Sequence, residues 1–165
     1  MATTIAIVSD THMPKGRREL PEECVRLCLD ADLIIHGGDF MKPSILELFR
    51  SFGPPVTAVQ GNVDSKELRS WLPETATLEV EGVRIGLIHD SGPKNGRLAR
   101  MRKLFPDHDA VVFGHSHLPL HEEEDGFQIF NPGSPTERRR SPFKSMGVAR
   151  VDDSRVSFEL IDLGT

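Results

Sequence analysis

Three times within the first 64 residues, a short apolar segment runs into a polar cluster, and helix-forming sequence separates one such segment from the next. Thr3 to Val8 (TTIAIV) ends in Ser9-Asp10-Thr11-His12, Leu33-Ile34-Ile35 in His36-Gly37-Gly38-Asp39, and Val56 to Val59 in Gly61-Asn62-Val63-Asp64. Brief β-branched runs of this kind read as buried strands. Pro21 suits the first turn of the intervening helix, with Glu22 and Glu23 at its positive end and Val25, Cys28 and Leu29 as its apolar stripe. Pro43 to Phe52 reads as a second helix, closed by Gly53-Pro54-Pro55. Such alternation predicts parallel strands joined by right-handed crossovers. Open α/β sheets place ligands just beyond the carboxyl ends of those strands, where the polar clusters fall here.

The second half changes character. Thr75 to Val80 and Val83 to Ile88 flank Glu81-Gly82 as a hairpin, and the latter strand runs into His89-Asp90-Ser91-Gly92. Asn95 to Phe105 reads as a basic helix with Leu98, Met101, Leu104 and Phe105 on its apolar side. Leu118–Glu122 and Phe127–Phe130 form another expected hairpin across a turn ending Asp125-Gly126. Met146–Val151 and Val156–Ile161 are the last strands, joined across Asp152-Asp153-Ser154. With no internal repeat, low-complexity tract or linker, the 165 residues are expected to form a single domain spanning 1–165.

The Ala110–Phe113 strand leads into Gly114-His115-Ser116-His117. On extended backbone two histidines two apart point the same way, with Cα atoms roughly 6.6–7 Å apart. That spacing suits two neighbouring ions, since paired catalytic metals lie roughly 3.5–4 Å apart. The strand-end donors are then Asp10, His12, Asp39, Asn62, His89, His115 and His117, spread over five strand ends on one rim. Oxygen and nitrogen donors in that number are what a two-metal site requires, and they suit Mn²⁺, Fe, Zn²⁺ or Co²⁺. The absence of cysteine from the set disfavours a closed structural zinc. His36, His108 and His121 fall outside the pattern and are expected to be structural or exposed.

Composition narrows the partners. A formal net charge of -5 supplies no field to recruit nucleic acid or an anionic membrane. No run approaches the ~18 apolar residues of a membrane span, and no secretory signal is recognisable, so a cytoplasmic protein is expected. Cys24 and Cys28, four apart on a helix, are not a redox motif and read as reduced, packed thiols.

Taken together, Asp10-x-His12, Gly38-Asp39, Gly61-Asn62, His89 and Gly114-His115-x-His117 resemble the blocks of the calcineurin-like metallophosphoesterases. The likeness is to their small bacterial and archaeal phosphodiesterase branch, to which the retromer subunit is related; Asn131-Pro132-Gly133-Ser134 resembles a segment of that branch. The resemblance implies an α/β fold, a four-layer α-β-β-α sandwich of two facing mixed β-sheets flanked by helices. It implies that Asp10, His12 and His117 bind one metal, Asn62, His89 and His115 a second, and that Asp39 bridges them. Two divalent ions are implied, Mn²⁺ foremost, with Fe, Zn²⁺, Ni²⁺ or Co²⁺ as alternatives.

The implied activity is hydrolysis of a small phosphodiester by in-line attack of a metal-bridging hydroxide. Two divalent ions carry four positive charges; Asp10 and Asp39 remove two and the hydroxide one, which leaves about one to draw a phosphate oxygen. Asp39, Asn62, Asp64 and His89 form the expected catalytic set, with Asp64 orienting the network around the metals. Lys15, Arg17 and Arg138 are candidate substrate contacts, alongside Arg18 and the remainder of the Arg138–Arg140 run. Two positions depart from the family pattern. Val63 stands where many members carry a histidine that protonates the leaving group, so substrates with good leaving groups are favoured. Asp90 stands where the branch often has glycine and adds negative charge. The alternatives are a protein-interaction scaffold, which should have lost ligands, and a nuclease, disfavoured by the charge. A homo-oligomer is left open.

Overall fold

A computed structural model describes residues 2–16 and 18–165. Arg17, a candidate substrate contact, lies outside the described residues.

Among the described residues, ten strands form two five-stranded sheets. In the first, β1 (Thr3–Val8), β2 (Leu33–His36) and β3 (Val56–Ala58) run parallel, and the antiparallel pair β9 (Lys144–Asp152) and β10 (Arg155–Gly164) extends the β1 edge. In the second, the order is β4 (Thr75–Val80), β5 (Val83–Ile88), β6 (Ala110–Val112), β8 (Phe127–Asn131) and β7 (Leu120–Glu124), with β5, β6 and β8 parallel. Each of the three hairpins turns on two residues of positive φ: Glu81-Gly82, Asp125-Gly126 and Asp153-Ser154. That is the type I′ geometry, whose twist matches the flanking strands.

The period-two alternation of the strands sorts their side chains into three packed interfaces. Ile5 and Ile7 of β1 meet Ile85 and Leu87 of β5, Val112 of β6 and Phe130 of β8 between the sheets. On the opposite face of β1, Ala6 and Val8 pack with Cys24 and Cys28 of α1 (Glu22–Asp30), Leu46 and Phe49 of α2 (Pro43–Ser51) and Leu68 of α3 (Lys66–Trp71). Behind the second sheet, Val111, Phe113 and Ile129 hold Met101 of α4 (Arg97–Leu104). Three cores between four layers are the α-β-β-α sandwich implied by the family resemblance.

The differences from expectation are local. Helix α3 lies outside the elements expected from the sequence: it has only six residues, and it starts at Ser65, whose Oγ accepts the Leu68 N–H at 3.2 Å. Strand β7 begins two residues later than expected, because Leu118 and Pro119 belong to the loop after His117. The third difference concerns the site. Strand β6 stops at Val112, and His115 and His117 have φ of 74° and 63°, so the extended geometry expected for them does not occur.

Candidate metal centre

The carboxyl ends of β1, β2, β3, β5 and β6 open onto one rim, and their loops lock together through backbone bonds. Asp10 N–H donates to Gly38 C=O at 2.9 Å, His12 N–H to Asp39 C=O at 3.0 Å and Gly114 N–H to His89 C=O at 3.0 Å. Five of the seven candidate ligands have positive φ: Asp10, His12, Asp39, His115 and His117. Left-handed backbone costs a non-glycine residue ~1–3 kcal/mol, and such residues concentrate at functional sites whose surroundings hold them in place. Here the left-handed residues turn successive side chains out of the strand direction and into a common space. Two glycines explain the G-N and G-H pairs. A Cβ on Gly61 would collide with Asp39, and one on Gly114 with Ser9 and Asp10.

The donors separate into two groups. Asp10, His12 and His117, all buried, offer ligand atoms within 4.8 Å of one another; so do Asp39, His89 and His115, of which His115 is exposed. Asp39 adjoins both groups: its Oδ2 lies 3.3 Å from His12 Nε2 and 3.0 Å from His89 Nε2. Asn62 completes the second group, its Oδ1 lying 3.0 Å from His89 Nε2 and 3.0 Å from His115 Nδ1. The two histidines of the His-Ser-His segment thus face different groups.

Chemically this set fits a pair of cations. Asp10 Oδ1, His12 Nε2 and both ring nitrogens of His117 are buried without a hydrogen-bond partner among the described residues, a costly state for polar atoms unless something binds them. The other oxygen of Asp10 is fully engaged, accepting the Ser9 hydroxyl at 2.7 Å and His115 N–H at 3.0 Å, so Oδ1 alone faces the cluster. His89 Nδ1 lies 2.7 Å from Gly37 C=O, which places the ring proton there and turns Nε2 inward.

Without metal, the cluster holds protons. Burial would lower the His12 pKa, but the neighbouring carboxylates of Asp10 and Asp39 outweigh it and raise the ring from 6.5 to about 9. His89 rises to about 9 against the same burial, chiefly through Asp39 and the charge of Asp10. Asp10 and Asp39 are held below the usual carboxylate range, their burial overcome by the histidines around them. A raised histidine stabilises the fold fully below its ordinary value and ceases to as pH passes its folded value. The metal-free protein is therefore expected to lose stability between pH 6.5 and about 9, while the metal-loaded protein loses less. Cations compete with these protons, so uptake near pH 7.5 should release them. Thermal melts across that range, with calorimetry in buffers of different ionisation enthalpy, check both effects. Metal-free stability that climbs through the window would contradict the assignment.

Several residues outside the ligand set have defined places. Asp64 Oδ2 accepts Asp39 N–H at 3.1 Å and Gly61 N–H at 2.7 Å, and its Oδ1 accepts Met41 N–H at 2.8 Å. Asp64 thus ties the Asp39 loop to the Asn62 loop, with both its oxygens turned to backbone. His36 is buried and stacked on Phe40, its Nδ1 accepting Gly38 N–H, and burial lowers its pKa to about 3. It is structural. His121 is exposed, and His108 Nε2 lies 2.9 Å from the Thr77 hydroxyl. Lys15 is exposed beside the first ligand loop. Arg138 is exposed and donates to Pro142 C=O at 3.4 Å within its own turn. Arg18 is engaged elsewhere, paired with Glu137 at 2.8 Å. Asp90 is exposed, its Oδ1 accepting Gly92 N–H at 2.9 Å.

The segment 131–137, of which residues 131–134 carry the family resemblance, braces the centre from behind. Ser134 Oγ donates to Asp10 C=O at 2.8 Å and Thr136 Oγ1 to Thr11 C=O at 2.7 Å. Asn131 Nδ2 donates to Gly114 C=O at 3.3 Å. These pairings span 124, 125 and 17 residues, and no local pattern announces them. A cleft of about 290 Å³ opens beside Asn62 and His89, lined also by Gln60, Gly61, Arg69, Glu74, Thr75, Ile88 and Asp90.

Comparison with known proteins agrees with the geometry. The family model for the calcineurin-like phosphoesterase superfamily domain matches residues 3–154. A probable metallophosphoesterase of Methanothermobacter thermautotrophicus is 35% identical over 162 residues, covering 97% of this chain and 92% of the relative. A phosphodiesterase of Methanocaldococcus jannaschii is 25% identical over 142 residues, covering 78% and 82%. Among solved structures, vacuolar protein sorting 29 from Cryptosporidium parvum superposes with a TM-score of 0.79 at 19% identity, covering 99% of both chains.

Proposed function

The chain belongs to the calcineurin-like phosphoesterase superfamily, and from that premise we propose that it is a metal-dependent phosphodiesterase hydrolysing a small phosphodiester. The observation that carries the reading is the complete donor set: a buried group whose inward atoms on Asp10, His12 and His117 lack hydrogen-bond partners among the described residues, and a second, partly exposed group, with Asp39 beside both. A scaffold has no need of such a set, and the polar strain is costly without bound cations.

In this reading Asp10, His12 and His117 hold one divalent cation, Asn62, His89 and His115 the other, and Asp39 serves both. When bound, the pair supplies Lewis acidity towards a phosphoryl oxygen and lowers the pKa of water towards ~7, providing the nucleophile for in-line displacement. The chain's own part is positioning. Asp39 Oδ1 is anchored by the Val63 N–H at 2.9 Å, which leaves Oδ2 at the centre. Asp10 and Asp39, buried and negative, set the charge that the cations must exceed before the site attracts a phosphate. Asn62 and His115, exposed at the rim, are where substrate arrives. Val63 is exposed and carries no proton, so the leaving group departs unassisted by that side chain, and esters of acidic alcohols react fastest. Lys15 and Arg138 are the proposed phosphate contacts, and the cleft beside Asn62 is sized for a small diester. Mn²⁺ is the proposed metal, though the donors would also accept Fe, Zn²⁺, Ni²⁺ or Co²⁺.

No helix among the described residues is long and apolar enough to cross a membrane. A cytoplasmic location and a small-molecule rather than nucleic-acid substrate belong to the same proposal. The test is direct. The Mn²⁺-loaded protein is expected to hydrolyse a generic aryl phosphodiester, and chelation should remove the activity reversibly. A folded protein that bound no metal and turned over nothing across several metals would instead be a binding scaffold.

A further inference from the structure

His117 differs from the other candidate ligands in what stands behind it. Its ring is 1% exposed, with Nε2 facing Asp10 Oδ1 at 3.4 Å and Nδ1 turned away from the cluster. Facing Nδ1 at 3.5 Å is the carboxylate oxygen Oε2 of Glu137. Both atoms are buried and neither has a hydrogen-bond partner among the described residues, so the two face each other with nothing else engaging them. Glu137 is itself held. Arg18 pairs with its Oε1 at 2.8 Å, Arg139 Nε lies 3.5 Å from the same oxygen, and its N–H donates to Ser134 Oγ at 3.2 Å. By contrast, the outer nitrogen of His89 meets only a neutral carbonyl, that of Gly37.

We propose that Glu137, clamped by Arg18, is the positioning residue of the first cation site, holding the His117 ring with its proton on Nδ1 and Nε2 aimed at the ion. This rests on the assignment of Asp10, His12 and His117 to one cation. A carboxylate behind a ligating histidine fixes the ring's tautomer and orientation, and its removal weakens metal binding by ~10–100-fold. The arrangement makes the two cation positions unequal. The first is buried and carboxylate-backed, whereas the second includes exposed Asn62 and His115. It also gives Arg18 a task other than substrate contact: its guanidinium fixes the carboxylate that fixes the ligand.

Calorimetric titration of the chelator-stripped full chain with Mn²⁺ tests this. Wild type is expected to bind in two unequal steps. Glu137→Gln keeps size and hydrogen-bonding shape but removes the charge; it should weaken the tighter step by ~10–100-fold. The weaker step and the metal-free melting temperature should stay where they are. Arg18→Met, which frees Glu137 without touching the cluster, should weaken the same step by a smaller factor. Unchanged isotherms for both variants, or an equal loss in both steps, would overturn the Glu137 role while leaving the metal centre standing. A wild type that takes up no Mn²⁺ would overturn both.

Discussion

Asp39→Asn is expected to lower turnover of an aryl phosphodiester by about 10²–10³-fold while leaving the protein folded, the typical cost of removing one preorganised charge-stabilising group. The substitution is selective because each function of Asp39 falls on a different atom. Oδ1 accepts the Val63 N–H, which an amide oxygen accepts equally well. Oδ2 faces His12 and His89 at 3.3 and 3.0 Å, and there the amide presents a donor with no negative charge. The backbone does not object, because φ at Asp39 is 65° and asparagine tolerates the left-handed region as readily as aspartate. Circular dichroism should match wild type, whereas Mn²⁺ stoichiometry should fall along with kcat. His115→Ala, which removes one exposed ligand of the second group, should act in the same direction. Turnover in Asp39→Asn within tenfold of wild type would remove the shared carboxylate from the mechanism.

Asp64→Ala is expected to be the most destabilising single change in the ligand loops, by about 3–5 kcal/mol. It leaves the N–H groups of Asp39, Met41 and Gly61 without their acceptor, and each orphaned buried donor costs ~1–3 kcal/mol. For a chain of this size that corresponds to a melting temperature lower by about 10 °C, at ~2–4 °C per kcal/mol. Metal affinity should fall with it, since the two loops being tied carry Asp39 and Asn62. Asp64→Asn retains one oxygen and should recover part of the loss. A melting temperature for Asp64→Ala within 2 °C or so of wild type would show that water replaces the carboxylate without cost.

Much of the architecture is legible in residue order, and the particular elements show why. The run TTIAIV is too short and too β-branched to be anything but a buried strand, and its alternation assigns Ile5 and Ile7 to one face and Ala6 and Val8 to the other. The identity of the candidate ligands is legible for a related reason. A buried parallel strand must end before its polar residues begin, so Asp10, Asp39, Asn62, His89 and the histidines after Phe113 mark the rim. The geometry of those ends was not legible. An extended His-x-His would send both rings to the same side, yet left-handed φ at His115 and His117 divides them between two groups. The short helix α3 was missed because six residues carry too little periodicity to register.

The sequence by itself determined which atoms can bind a cation and at which strand ends they stand, because side-chain chemistry and apolar period are local properties of the chain. How the donors divide and that Asp39 lies between them were implied only by the family resemblance; the tertiary structure alone shows the two groups side by side, both Asp64 oxygens turned to backbone, and Glu137 and Arg18 behind His117. Most of those relations join residues distant in the chain through contacts between loops. A contact of that kind depends on where two sheets bring their strand ends together, and no stretch of residues carries that information alone.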